Sequence, residues 1–199
     1  GFNLAFCGDI PIGAGLSSSA ALCCGTAFGL NHLFDLNIKK WDLAKIALKS
    51  ENDFLGVQCG IMDQFASVFG RDKQVIKIDC RSQNREYFAA EFGDYQIVLI
   101  DSKVKHELVD SEYNKRRDQC EMGVRHMQLK NPRISALRDA TLVDLDAARV
   151  ELDPKVYDRC KYVIEENDRV LRAWEELLAG NIEQVGQLMN TTHHGLSQL

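Results

Sequence analysis

Apolar positions in the first hundred residues come in short runs of differing period. Residues 2–7 form an apolar run that reads as a strand, and it leads into a glycine-rich break. Residues 18–34 are small and apolar, and Ala20, Ala21, Leu22, Thr26, Ala27, Leu30 and Leu33 suit a buried helix. A second helix is predicted over 41–51, with Leu43, Ile46, Ala47 and Leu48 as its apolar side. Gly56 and Gly60 flank a break. β signals follow at 64–69, 74–78 and 86–92, and the first two, separated by Gly-Arg-Asp-Lys, read as a hairpin. Residues 95–100, Tyr-Gln-Ile-Val-Leu-Ile, predict a strand buried on both faces.

The pattern changes after Lys105. From Ser111 the chain is charged and helical, and its first helix carries Tyr113, Arg116, Arg117, Cys120, Val124 and Met127. Shorter helical pieces follow Asn131-Pro132. The strongest helix is predicted over 155–178, where Tyr157, Cys160, Val163, Ile164, Val170, Leu171, Trp174 and Leu178 recur mostly at spacings of three and four. Gly180 ends it, and 182–199 starts another. A mixed first half and an all-helical second half predict an α+β protein. The expected domains are 1–105, with a mixed sheet and helices, and 106–199, a partial helical domain.

Composition narrows the partners. Of 199 residues, 45% are hydrophobic and 27% charged, which is ordinary for a globular chain. The net charge of -5 gives no basic footprint for nucleic acid. No apolar run is long enough to span a membrane. Phosphate binding by such an acidic chain has to be local, through backbone dipoles, a metal or a few basic side chains. Seven cysteines without Cys-x-x-Cys spacing predict reduced, buried thiols in a cytoplasmic protein rather than zinc or disulfides.

Two stretches carry chemistry. Pro11-Ile-Gly-Ala-Gly-Leu-Ser-Ser-Ser-Ala-Ala21 joins glycines, three hydroxyls and a helix start. Glycines let backbone N–H groups approach a ligand, and a helix N-terminus adds unpaired donors and a positive dipole end. That combination makes a phosphate cradle. No Gly-Lys-[Ser/Thr] closes the loop, so it is not the common P-loop. The alternative is a plain strand-to-helix turn capped by serine. In Cys59-Gly-Ile-Met-Asp-Gln64, a lone Asp63 stands among apolar residues. It is either a turn-capping aspartate or a carboxylate beside a reacting hydroxyl. Glu51 is either a surface carboxylate or a metal ligand, the latter only if the fold returns it to the loop. Arg116-Arg117 and the adjacent histidines of Thr191-Thr-His-His194 read as ordinary helix faces.

Together these stretches resemble the GHMP kinases. Residues 11–20 are similar to that superfamily's Pro-x-x-x-Gly-Leu-Ser-Ser-Ser-Ala motif. Cys59-Gly-Ile-Met-Asp-Gln64, Ser111-Glu-Tyr-Asn-Lys-Arg-Arg117 with Cys120-Glu121, and Gly186-Gln-Leu-Met-Asn190 with His193 resemble its galactokinase branch. The resemblance spans nearly the whole chain. It implies a first domain of the ribosomal S5 domain 2 type and ATP-dependent phosphorylation of galactose at C1. It also implies that Gly13, Ala14, Gly15, Leu16, Ser17, Ser18, Ser19 and Ala20 wrap the ATP phosphates. Ser19 and Glu51 match Mg²⁺ ligands, and Asp63 the catalytic aspartate. Gly60 and Tyr113 match sugar contacts. A related kinase for N-acetylgalactosamine or arabinose, or a non-catalytic regulator that binds ATP and sugar, stands as the alternative.

The chain also departs from the pattern. Nothing in it matches the superfamily's N-terminal Gly-Glu-His-x-Asp-Tyr signature or its C-terminal glycine-rich third motif. The expectation is therefore an internal fragment of a longer kinase, inactive alone and prone to self-association through exposed edges.

Overall fold

The computed structural model describes residues 1–100 and 112–198. Two compact units divide it: Gly1–Ala90 with the described part of Ile97–Ser111, and Glu91–Gln96 with the described part of Glu112–Leu199. The domain boundary expected at 105/106 lies outside the described residues.

Three helices organise the first unit. They are α1 (Ser18–Leu33), α2 (Lys40–Phe54) and α3 (Met62–Phe69), and each packs on the other two. On α2 the buried positions are Leu43, Ala44, Ala47 and Glu51, a single stripe at helical spacing. Small residues on α1 let it approach closely, with Ala20 and Cys24 buried. Residues 64–69 are helical, not the strand expected. Phe65 and Phe69 stand one turn apart with ring centroids at 4.5 Å, and Trp41 packs on them at 5.5 and 6.0 Å. An alternation of period two and a pair at i and i+4 are the same pattern in so short a run. Burial against Trp41 chose the helix.

The hairpin forms one segment later than expected. β1 (Gln74–Ile78) pairs antiparallel with β2 (Arg85–Ala89), with Ile76 opposite Tyr87. Asp79 Oδ1 accepts from the Arg81 and Ser82 amides at 2.8 and 3.3 Å and shapes the turn. Tyr87 donates to the Phe69 carbonyl at 3.0 Å, tying the hairpin to α3.

Residues 2–7 and 95–100 form no strand, against expectation. Val98 is 71% and Ile100 87% exposed, so the second run is not buried either. A strand exists only when another strand completes its ladder, and none among the described residues does so. The expected mixed sheet is represented there by the β1–β2 hairpin, and the fold class is α+β.

The second unit is helical, with α4 (Glu112–Lys130), α5 (Leu142–Ala147), α6 (Pro154–Leu178) and α7 (Ile182–Gln198). Its core gathers Met127, Ile134, Leu137, Leu145, Leu152, Val156 and Cys160. Helix starts are specified locally. Thr141 accepts from the Asp144 amide at 3.2 Å, and Asp153 accepts from the Lys155 amide at 2.8 Å with Pro154 at the first helical position. Gly180 at φ +76° ends α6 as predicted. No helix among the described residues is long and apolar enough to cross a membrane.

Candidate functional site

The glycine loop leads directly into α1. Gly13, Gly15 and Ser17 have φ of +76°, +75° and +56°, so left-handed residues alternate with others along the turn. A Cβ at Gly13 or Gly15 would meet nothing within 4 Å, so the backbone conformation, not crowding, calls for glycine. Alternating handedness is the arrangement that turns successive N–H groups into an anion-binding concavity. Ser17 is the N-cap residue, yet its side chain makes no capping bond. The serine-capped turn is therefore not what forms here. The first turn of α1 carries no acidic residue either. Its leading amides keep their capacity for an anion.

Glu51 sits in the last turn of α2 and is 6% exposed, so it is not a surface carboxylate. Gln64 of α3 donates from Nε2 to Glu51 Oε2. The Cys24 thiol of α1 donates to the Gln64 carbonyl at 3.6 Å. These contacts join α1 at Cys24 to the end of α2 and the start of α3. Ser19 lies one turn before Cys23 on the same helix face. Burial, and after it the Glu51 charge, push the Cys23 thiol upward. The fold thus brings Glu51 near Cys23 of α1.

The same burial silences the neighbouring thiols. Cys24 is pushed up to about 11 by burial first, then by Cys23 and Glu51. Cys59 is raised by burial and by Glu51, with the Gln64 amide opposing. Protonated thiols are poor nucleophiles and poor ligands at neutral pH. The reactive donors at this convergence are oxygens.

Two observations suit a divalent cation. No cationic side chain pairs with Glu51 among the described residues, and Gln64 Oε1 is buried without a partner. A buried carboxylate and an orphaned acceptor both want a positive or hydrogen-donating neighbour. Among the described residues no three His, Cys, Asp or Glu side chains gather for a metal. A hydroxyl and one carboxylate form the small protein share that Mg²⁺ takes when substrate phosphates and water complete its shell.

Asp63 is the second residue of α3, half-buried and next to the fully buried Gln64. It lies inside the helix, so it is not a turn cap, and its charge sits at the positive dipole end. Gly60 precedes it, exposed, with open space around a built Cβ. Tyr113 belongs to the second unit, on the first turn of α4, and is 49% exposed. Arg117 pairs with Glu121 at 3.2 Å, the ordinary helix-face contact expected. Gln64 is the residue sequence reasoning passed over as a functional group. Its signal was a lone amide directly after Asp63 in an apolar run.

Comparison with known proteins shows what the chain is similar to. Residues 1–71 match the family described as GHMP kinases N terminal domain. The galactokinase of Thermotoga maritima is 41% identical over 191 residues, which are 96% of this chain and 52% of that protein. That of Thermotoga neapolitana matches with the same figures. The crystal structure of Lactococcus lactis galactokinase complexed with galactose superposes with a TM-score of 0.90 at 34% identity, covering 96% of this chain and 49% of that one. The chain spans about half the length of the curated relatives it matches. Its first 71 residues match the GHMP kinase N-terminal domain, and its likeness to galactokinases runs over nearly its whole length.

Proposed function

We propose that this chain carries the phosphate loop, metal ligands and catalytic carboxylate of a galactokinase. The full-length protein would transfer the ATP γ-phosphoryl group to the C1 hydroxyl of galactose, giving galactose 1-phosphate and ADP. The observation that carries the reading is the buried Glu51, held by Gln64, in the same unit as an uncapped, glycine-shaped loop.

Phosphoryl transfer to a hydroxyl requires in-line positioning, neutralised phosphate charge and a destination for the hydroxyl proton. Residues 13–20 supply backbone donors to the phosphates. Ser19 and Glu51 would hold Mg²⁺, which neutralises phosphate charge when bound. Asp63 accepts the C1 hydroxyl proton as the new O–P bond forms and the bond to the ADP oxygen breaks. Gly60 contacts the sugar. The intact Ser19-Ala20-Ala21 and the presence of Asp63 favour a kinase over a non-catalytic relative.

The half-length chain is proposed to lack turnover on its own. Its exposed apolar runs at 2–7 and 95–100 support self-association. Seven free cysteines support a cytoplasmic setting. Galactose-dependent ADP release by the full-length protein tests the main reading. Asp63→Asn should nearly abolish turnover while ATP still binds, and an unchanged kcat would overturn the role. Robust turnover by the 199-residue chain would overturn the claim of incompetence.

A further inference from the structure

Two cysteines of the helical unit lie far from this site in sequence and take no part in it. Cys120 is on α4 and half-buried, while Cys160 is on α6 and fully buried. Where these helices pack, the Cys160 sulfur occupies the notch left by Gly123, one turn beyond Cys120. A Cβ built at Gly123 would lie 2.2 Å from that sulfur. The Cys160 thiol also donates to the Cys120 carbonyl oxygen at 3.9 Å, and the Cys120 side chain packs against the core cluster that holds Cys160. Arg116, one turn before Cys120 on the same face, has a buried Nε without a partner.

We infer that Cys120 and Cys160 are a peroxide-responsive thiol pair that closes into a disulfide between α4 and α6. The Cys160 side chain lowers Cys120, against the effect of burial, and Arg159 and Arg116 add to the lowering. Cys160 is raised by Cys120 and by burial, so the proton resides on Cys160. This assigns Cys120 as attacking sulfur and Cys160 as resolving sulfur.

The required oxidant is a hydroperoxide. The Cys120 thiolate attacks one peroxide oxygen, the O–O bond breaks, and hydroxide leaves to become water. The resulting sulfenic acid is attacked by the Cys160 sulfur. The S–O bond breaks, an S–S bond forms, and the Cys160 proton departs with the hydroxyl as a second water. Two thiols and one hydrogen peroxide thus yield one disulfide and two waters.

The consequence follows from the loop that is closed. Met127, Ile134, Leu137, Leu145, Leu152 and Val156 all lie between positions 120 and 160 in the chain. A crosslink there would enclose the unit's core cluster and constrain its unfolded state.

The test is peptide mass mapping of the purified chain after mild hydrogen peroxide, with and without reductant. The expected result is a peptide pair joined through Cys120 and Cys160, two hydrogens lighter than its parts. A higher urea midpoint for the helical unit should accompany it, and dithiothreitol should reverse both. Cys80→Ser, at an exposed thiol, should leave the link intact, and Cys120→Ser should remove it. Should Cys160→Ser fail to fold, Cys120→Ser carries the assignment. Both thiols remaining reduced after exposed Cys7 and Cys80 have oxidised would overturn the inference. So would Cys120 proceeding to sulfinic acid, or linking elsewhere.

Discussion

Gly123→Ala puts the packing of α4 on α6 to a direct test. The added methyl would lie 2.2 Å from Cys160 Sγ, 3.6 Å from Cys160 Cβ and 3.8 Å from Val156 Cγ1. Two of these are ordinary contacts; the sulfur is more than an ångström inside the usual separation of about 3.5–4.0 Å. Cys160 is 0% exposed and part of the core, so its sulfur has no solvent to retreat into. Overpacking of this kind costs about 1–3 kcal/mol. Replacing a mid-helix glycine with alanine returns roughly 1 kcal/mol of helix propensity. The net expectation is a loss of about 1 kcal/mol, or roughly 4–8 °C in Tm for a unit of this size. Hydrogen exchange of α4 and α6 peptides against urea, read by mass spectrometry, follows this unit alone and serves variants that lack the Cys160 thiol. Adding Cys160→Ala deletes the clashing atom, and the methyl introduced on α4 then fills its space. The double variant should therefore be more stable than the sum of the two single changes. A Gly123→Ala midpoint equal to or above the parent's, or strict additivity, would refute the packing argument.

Other expectations are simpler. In the full-length protein, Ser19→Ala should raise the Mg²⁺ concentration needed for half-maximal turnover, and an unchanged Mg²⁺ titration removes Ser19 from the metal shell. Phe65→Ala empties a site 1% exposed and stacked between Trp41 and Phe69. It should cost about 3–5 kcal/mol in urea unfolding of the first unit. Hydrogen bonds from the Thr141 hydroxyl and amide hold Asp144 below the usual carboxylate range. Its contribution is therefore complete above the unfolded carboxyl's range and is lost as pH falls through the lower, folded value. Acid unfolding of the helical unit should show this, and Asp144→Asn should remove that part of the pH slope.

Several elements were legible from contiguous residues. The starts of α1 and α6, the stop at Gly180 and the β1 strand follow from caps, glycine and local periodicity, which need no distant partner. The candidate groups could be named as well: glycines, serines and Asp63 by residue type and pattern, and Glu51 as a metal ligand only through the family resemblance. The two strand predictions at 2–7 and 95–100 failed because an apolar run specifies a wish for burial without naming the strand that would pair with it. Residues 64–69 were misread because a short run with phenylalanines four apart satisfies both periods, and Trp41, more than twenty positions earlier, decided between them.

The candidate site divides along the same line. Sequence alone determined which groups are available: a flexible loop rich in N–H donors, three hydroxyls and two carboxylates. Only the tertiary structure decided that Ser17 leaves the helix start uncapped, that Glu51 is buried rather than solvated, and that Gln64 holds it while leaving its own side-chain oxygen unpaired. The physical reason is that hydrogen-bonding capacity belongs to each residue and can be read one position at a time. Burial and satisfaction depend on what the rest of the chain brings within reach, and here that was the meeting of three helices through Cys24, Glu51 and Gln64, up to 40 positions apart in sequence.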